Sequence, residues 1–203
     1  MSSIDSLTQK FRDFPGIGPR QAKRFVFFLL SRNGTYLDEL VSLIDSIKKE
    51  VRVCQSCQRF FNSSTHFPEC AICRDSSRDS GILMLVEKDI DLENLERSHA
   101  YRGRYFILGG TIPILEKNPD EKARLKELDS YLEKHGGKIK EIIFGLSINA
   151  EGEHTGEFLS SYLKDRATLN NWKLSHLGRG LSTGSELEYA DSDTLKSALE
   201  NRF

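Results

Sequence analysis

The chain has 203 residues, 38% of them apolar and 29% charged, which is enough for one large domain or two or three small ones with real cores. No apolar run reaches the roughly 18 residues a bilayer span requires, and the opening MSSIDSLTQKFRDF lacks the charged-then-apolar layout of a secretory leader, so a cytoplasmic setting without a membrane partner is expected. The net charge of −1 conceals a polarity. The first 34 residues set six cations (Lys10, Arg12, Arg20, Lys23, Arg24, Arg32) against Asp5 and Asp13, whereas residues 87 to 96 set five acids (Glu87, Asp89, Asp91, Glu93, Glu96) against Lys88 alone.

Ile4, Leu7, Phe11 and Phe14 recur at helical spacing, and PRQAKRFVFFLLSRNG joins a proline suited to a first helical turn to an Asn-Gly stop. Two short helices are therefore predicted around a tight turn from Pro15 to Gly18. In that turn Gly16 and Gly18 flank Ile17 with a proline on each side, so the backbone can approach another molecule closely and turn N–H groups toward a phosphate. Arg20, Lys23 and Arg24 follow, placed to neutralise neighbouring phosphates without reading bases. This is the helix-hairpin-helix pattern of sequence-indifferent DNA binders. The competing reading is a plain corner between helices with solvated arginines; both prolines, the flanking helices and three cations favour DNA contact. Phe25, Phe27, Phe28, Leu29 and Leu30 are expected in the core of this helical front. A third helix is predicted from Thr35 to about Lys49, with Leu37, Leu40, Val41, Ile44 and Ile47 as its apolar stripe and Thr35 with Asp38 as its capping pair.

Every cysteine lies in the next stretch, as two C-x-x-C pairs, Cys54 with Cys57 and Cys70 with Cys73, separated by twelve residues. Each pair can place two thiolates on one tetrahedral ion at about 2.3 Å. In a reducing cytosol two disulfides are disfavoured, and a thioredoxin-like redox pair would sit beside the first strand of a βαβ pattern, so a structural zinc is expected. Four thiolates close the shell and leave no open position for catalysis; His66 in the loop is the one alternative ligand. The loop has no apolar periodicity, so the metal is expected to serve as the module's core.

Beyond the cysteines, apolar strands at 82–86, 104–108, 140–146 and 172–177 alternate with helical patterns at 89–98, 119–134 and 153–166, as in an α/β domain with a largely parallel sheet. A short helix is expected after Ala190. Glu87 directly follows the first of these strands, and Glu151 and Glu153 follow the third in SINAEGEHTGEF, so the three acids are candidates to converge at the carboxyl ends of the sheet on a magnesium ion. The alternative is that they are ordinary loop acids, Glu153 favouring the positive start of a helix. No nucleophile accompanies them, and GRGLSTGS lacks the spacing and lysine of a phosphate-binding loop.

The order of these modules, carried by FPGIGPRQAKR, the cysteine pairs running into CAICRDSSRDSGILMLVE, YRGRYFILGGTIPILE, AEGEHTG and RGLSTGSELEYADSDTL, resembles the RecR family of recombination mediators nearly end to end. The resemblance implies an α/β multidomain protein: a helical helix-hairpin-helix domain over residues 1–50, a C4-type zinc finger over 51–80, a Toprim domain over 81–178 and a C-terminal tail over 179–203. It implies a non-enzymatic DNA-repair factor that forms dimers or a tetrameric ring and works with RecO and RecF to load recombinase on single-strand-gapped DNA. On it Arg20 and Arg24 match the basic hairpin positions, Cys54, Cys57, Cys70 and Cys73 the zinc ligands, and Glu87 the Toprim glutamate. Toprim enzymes carry an Asp-x-Asp pair where this chain has Glu151-Gly152-Glu153; the longer side chains would displace a catalytic cation, which disfavours the alternative of a magnesium-dependent nuclease or phosphotransferase and leaves these acids for a basic partner surface.

Overall fold

The computed structural model describes residues 1–62, 67–178, 181, 188, 190 and 192–200. They divide into two compact units, Met1–Val51 and Arg52–Phe203. The first comprises α1 (Ser3–Arg12), α2 (Pro19–Leu30) and α3 (Gly34–Glu50). Ser2 and Asp5 cap the start of α1 reciprocally: the Asp5 N–H donates to the Ser2 hydroxyl oxygen at 3.2 Å, and the Asp5 carboxylate accepts from the Ser2 N–H at 3.2 Å. Pro19 occupies the first turn of α2, where its missing N–H costs nothing. α3 begins earlier than Thr35 because Asn33 is the cap: its Oδ1 accepts from the Tyr36 N–H at 3.0 Å, and Gly34 of the expected stop signal is the first helical residue.

Of α2, only Ala22 and Val26 are buried. Phe25, Phe27, Phe28 and Leu30 are exposed, which corrects the expectation that this run fills a core. Consecutive apolar residues circle a helix, whereas a three-helix unit of this size covers one side of it. Edge contacts between Phe11 and Phe25 (ring centroids 5.8 Å apart) and between Phe28 and Tyr36 (6.2 Å) give partial cover.

Past α3 come β1 (Val51–Val53), which crosses into the second unit, and β2 (Phe60–Asn62), a two-stranded ribbon holding the first cysteine pair at its turn, followed by the short helix α4 (Ala71–Arg74) with Cys70 as its cap and Cys73 inside it. Then come β3 (Ile82–Val86), α5 (Asp89–Ser98), β4 (Arg104–Ile107), α6 (Leu125–His135), β5 (Glu141–Gly145), α7 (Ala150–Asn170), β6 (Lys173–His176) and α8 (Ser192–Glu200). The main sheet has the order β4-β3-β5-β6 and is parallel throughout, with Val86 opposite both Ile107 and Gly145. Strand residues alternate faces. Leu83, Leu85, Phe106, Ile142 and Phe144 pack with Leu128 and Leu132 of α6 and with Leu159 and Leu163 of α7. Met84, Val86, Tyr105 and Ile107 face the other way, and there the buried cluster continues through Leu92 into Cys54, Cys57 and Cys70.

The cysteine module therefore shares the core of the α/β body instead of depending on a metal as its sole core, because the β4 side of the sheet offers apolar residues that the inter-cysteine loop lacks. Arg78, five residues past Cys73, fastens the module further. Its guanidinium pairs with Glu96 of α5, whose carboxylate also accepts from the Tyr105 hydroxyl at 2.8 Å. Burial alone would raise the Glu96 carboxyl, but these bonds outweigh it and hold it below the usual carboxylate range. Among the described residues no helix is long and apolar enough to cross a membrane. The expected tail over 179–203 lies mostly outside the described residues, as does His66.

Candidate nucleic-acid interface and metal centre

The turn between α1 and α2 is built backwards from two hydrogen bonds, Phe14 N–H to Phe11 O at 3.3 Å and Ile17 N–H to Phe14 O at 3.2 Å. To close it Gly16 adopts φ +75°, the left-handed region that favours glycine. Gly18 differs: it is the cap of α2 in ordinary extended conformation (φ −79°), and a Cβ there would meet nothing within 4 Å. Nothing among the described residues requires glycine at that position. No side chain caps the N-terminus of α2, so its first free N–H groups, those of Arg20 and Gln21, face outward. Arg20, Lys23 and Arg24 lie at i, i+3 and i+4, on one exposed face of α2, and none joins an ion pair among the described residues. The arrangement is a cationic stripe that begins at a helix N-terminus without a side-chain cap, with Lys23 close enough to be felt by the Asp5 carboxylate but not directly paired to it.

The four cysteines come together. Their Sγ atoms all lie within 4.8 Å of one another, with Cys57 and Cys70 at 3.7 Å. A tetrahedral ion with bonds of about 2.3 Å sets its sulfurs roughly 3.8 Å apart, so the donor set fits a metal such as zinc. The backbone is shaped for it: Cys54 N–H donates to Arg59 O (2.8 Å), Gln58 N–H donates to Cys54 O (3.0 Å), and Gln58 takes φ +64°, which folds the first pair into a knuckle. The Cys70 N–H points at the Cys54 sulfur (3.3 Å). Hydrogen bonding from Cys57 holds Cys54 below the ordinary thiol range, and the same contact pushes Cys57 up.

The predicted acids do not form such a cluster. Among the described residues the cysteines are the only group of three or more metal-ligating side chains gathered on one point. Glu87 is buried, and both its oxygens are taken by one residue: Oε1 accepts from the Ser147 N–H at 2.6 Å and Oε2 from the Ser147 hydroxyl at 3.0 Å. It bolts the carboxyl end of β3 to that of β5. Glu151 and Glu153 stand in the first turn of α7, which starts at Ala150 rather than 153 because Asn149 caps it, its Oδ1 accepting from the Gly152 N–H at 2.8 Å. Glu151 accepts from the Thr111 hydroxyl at 3.0 Å, and both acids are exposed. Gly152 between them is a packing residue, since a Cβ there would lie 2.1 Å from Ser147 O. A cavity of about 630 Å³ opens beside these carboxyl ends, lined by Ser147, Gly152, Glu153, Glu157 and His176 among others.

Family models match in three places: a RecR helix-hairpin-helix over residues 4–47, a Toprim domain over 81–172 and a RecR C-terminal segment over 180–202. Relatives extend the match to nearly the whole chain. Recombination protein RecR of Bifidobacterium animalis subsp. lactis is 40% identical over 201 residues, covering 98% of this chain and 95% of the relative. This chain belongs to the RecR family. Recombination protein RecR of Legionella pneumophila, at 35% identity over 202 residues, covers 100% of this chain and 96% of its own length, and that of Thermobifida fusca, at 34% over 200 residues, covers 98% and 96%. For this RecR-family chain, the sequence pattern pointed to the four cysteines that the structure gathers but missed Ser147, the partner of Glu87, and Arg104, which hydrogen-bonds to carbonyls of the second cysteine pair's turn. Ser147 carries no local signal. Arg104 carries a weak one, as a cation at the head of an otherwise apolar strand.

Proposed function

We propose that this chain is a non-enzymatic recombination mediator that binds DNA without sequence preference and acts in recombinational repair in the cytoplasm, with RecO and RecF, to load recombinase at single-strand gaps. The observation that carries the reading is the stripe of Arg20, Lys23 and Arg24 beside an open glycine turn, which matches a phosphate backbone in charge and leaves base edges unread. A structural zinc on Cys54, Cys57, Cys70 and Cys73 supports it by shaping the scaffold without an open coordination site. The exposed Phe25, Phe27, Phe28, Val41, Ile44 and Ile47 of the helical unit suit burial against a second copy, as in a dimer or ring, which multiplies weak hairpin contacts. Glu151 and Glu153, acidic and unburied, suit a basic partner surface such as that of RecO.

Labelled duplex, single-stranded and gapped DNA, incubated with the full chain at low salt with and without magnesium, tests the reading. Sequence-indifferent shifts with intact DNA are expected. Magnesium-dependent cleavage abolished by Glu87→Gln would replace it with the Toprim nuclease or phosphotransferase. Gly18→Ala offers a finer check. The added Cβ meets nothing within 4 Å among the described residues, and the substitution should leave stability unchanged or raise it by about 0.4–1 kcal/mol through the unfolded state. It should still weaken DNA binding, because the added methyl stands where a phosphate must approach; thermal melting and gel shift on the same preparation read the two effects separately. Charge-reversed Glu151→Lys with Glu153→Lys should not weaken DNA binding, since it adds positive charge, and should lower the affinity for RecO, measured by calorimetry.

A further inference from the structure

The cysteine module lies along β4, the edge strand of the main sheet, and each cysteine pair has its own fastening there. At the end of β4 the Ile107 N–H, which points out of the sheet, donates to Cys57 O at 2.9 Å. At its start the Arg104 guanidinium spans three carbonyls of the second pair's turn: Nη1 donates to Ile72 O (2.6 Å) and Cys73 O (2.8 Å), and Nη2 to Asp75 O (2.7 Å). These are carbonyls at and just beyond the carboxyl end of α4, which a four-residue helix leaves without helical partners, and a cation there also meets the negative end of the peptide dipoles. The two fastenings are three residues apart, roughly 10 Å of strand. Each half of the sulfur cluster is thus registered on the same rigid strand.

We infer that Arg104 is the positioning residue of the metal centre: it sets the second cysteine pair at the distance from the first that a tetrahedral ion needs, with β4 as the template. The inference rests on the reading of the four cysteines as metal ligands and goes beyond it by assigning part of the affinity to a residue that is no ligand. The planar fork matters because it reaches the three carbonyls from two nitrogens held in fixed geometry, a span that a single ammonium nitrogen does not reproduce. Groups that orient ligands from outside the coordination shell typically account for 10- to 100-fold of metal affinity.

Cobalt(II) titration of the reduced, metal-stripped full chain tests it. The thiolate-to-cobalt charge-transfer band reports sulfur ligation, the d–d bands report tetrahedral geometry, and zinc release to a chromophoric chelator gives the off-rate. Arg104→Leu should bind about 10- to 100-fold more weakly, release zinc faster and show distorted d–d bands. Arg104→Lys should fall between it and the parent, and Arg102→Gln, an exposed neighbour with no contact to the module through its side chain, should match the parent. An Arg104→Leu protein that folds and equals the parent in affinity, off-rate and spectrum overturns the inference while leaving the metal centre standing. Should the leucine variant not fold, a lysine variant indistinguishable from the parent overturns it equally. A parent protein with no sulfur charge-transfer band removes the metal centre itself, and the positioning role with it.

Discussion

Arg20→Glu combined with Arg24→Glu should nearly abolish binding to duplex and gapped DNA while leaving the fold intact. Both side chains are exposed, lie on one face of α2 and contribute no ion pair to the described structure, so replacing them removes nothing the chain needs for stability. For DNA the arithmetic is severe. Each phosphate contact releases about 0.9 of a counterion, so two lost contacts reduce the slope of log affinity against log salt by about 1.8 per hairpin. Near 0.1 M salt that is on the order of 10- to 100-fold in affinity for one hairpin, before the repulsion of two introduced carboxylates, and an assembly that engages several hairpins on one duplex multiplies the loss. Gel-shift or anisotropy titrations across salt concentrations measure both slope and affinity, with Lys164→Glu, an exposed substitution on α7 in the other unit, as the control. An unchanged slope in the double mutant would take the hairpin out of the mechanism.

Stripping the metal, or replacing Cys57 by serine, should destabilise the whole second unit, not merely the cysteine loop. Cys54, Cys57 and Cys70 are buried in the same cluster as Met84, Val86, Tyr105 and Ile107, so stripping the cation leaves a crowded set of unligated sulfurs against the sheet itself. Structural zinc supplies on the order of 10 kcal/mol of apparent binding free energy at neutral pH in small modules; the share that reaches a body with its own core is smaller, and a loss of several kcal/mol is expected. Hydrogen exchange locates it: the outward Ile107 N–H, held by Cys57 O, should lose protection on chelation, whereas the N–H groups of β5 in the sheet interior should lose less. The melting transition of the helical unit should be least affected. Uniform protection before and after chelation would show that the metal does not reach the sheet. Acid acts in the same direction. Metal thiolates are lost by protonation as pH falls, and the depressed Glu96 carboxyl, which stabilises the fold above its ordinary range, loses its pairing with Arg78 as pH drops through its lowered value. Metal-loaded protein should therefore lose stability below neutral pH as the thiolates take up protons, and only below the ordinary carboxylate range should it lose stability more steeply than a Glu96→Gln variant.

Periodicity and spacing in the chain were enough to place the two helices around Gly16, the cysteine quartet, and the alternation of strands and helices that makes a parallel sheet, because each rests on neighbours along the chain: a 3.6-residue stripe, a C-x-x-C turn, an apolar run bounded by breakers. Where two local signals competed, only the folded structure decided. Asn33 outbids Thr35 for the start of α3, and Asn149 pulls the start of α7 back to Ala150, so that Glu151 and Glu153 ride on a helix. The destination of side chains was the part no pattern could carry. Phe25, Phe27 and Phe28 share an apolar run with Val26, yet only Val26 is buried, since burial depends on which side of α2 its neighbours cover. Glu87 finds Ser147 sixty residues away because β3 and β5 lie side by side, and Arg104 finds Ile72 and Cys73 because β4 is the edge the module covers. Such contacts are properties of strand order, and strand order arises from packing between segments distant in the chain.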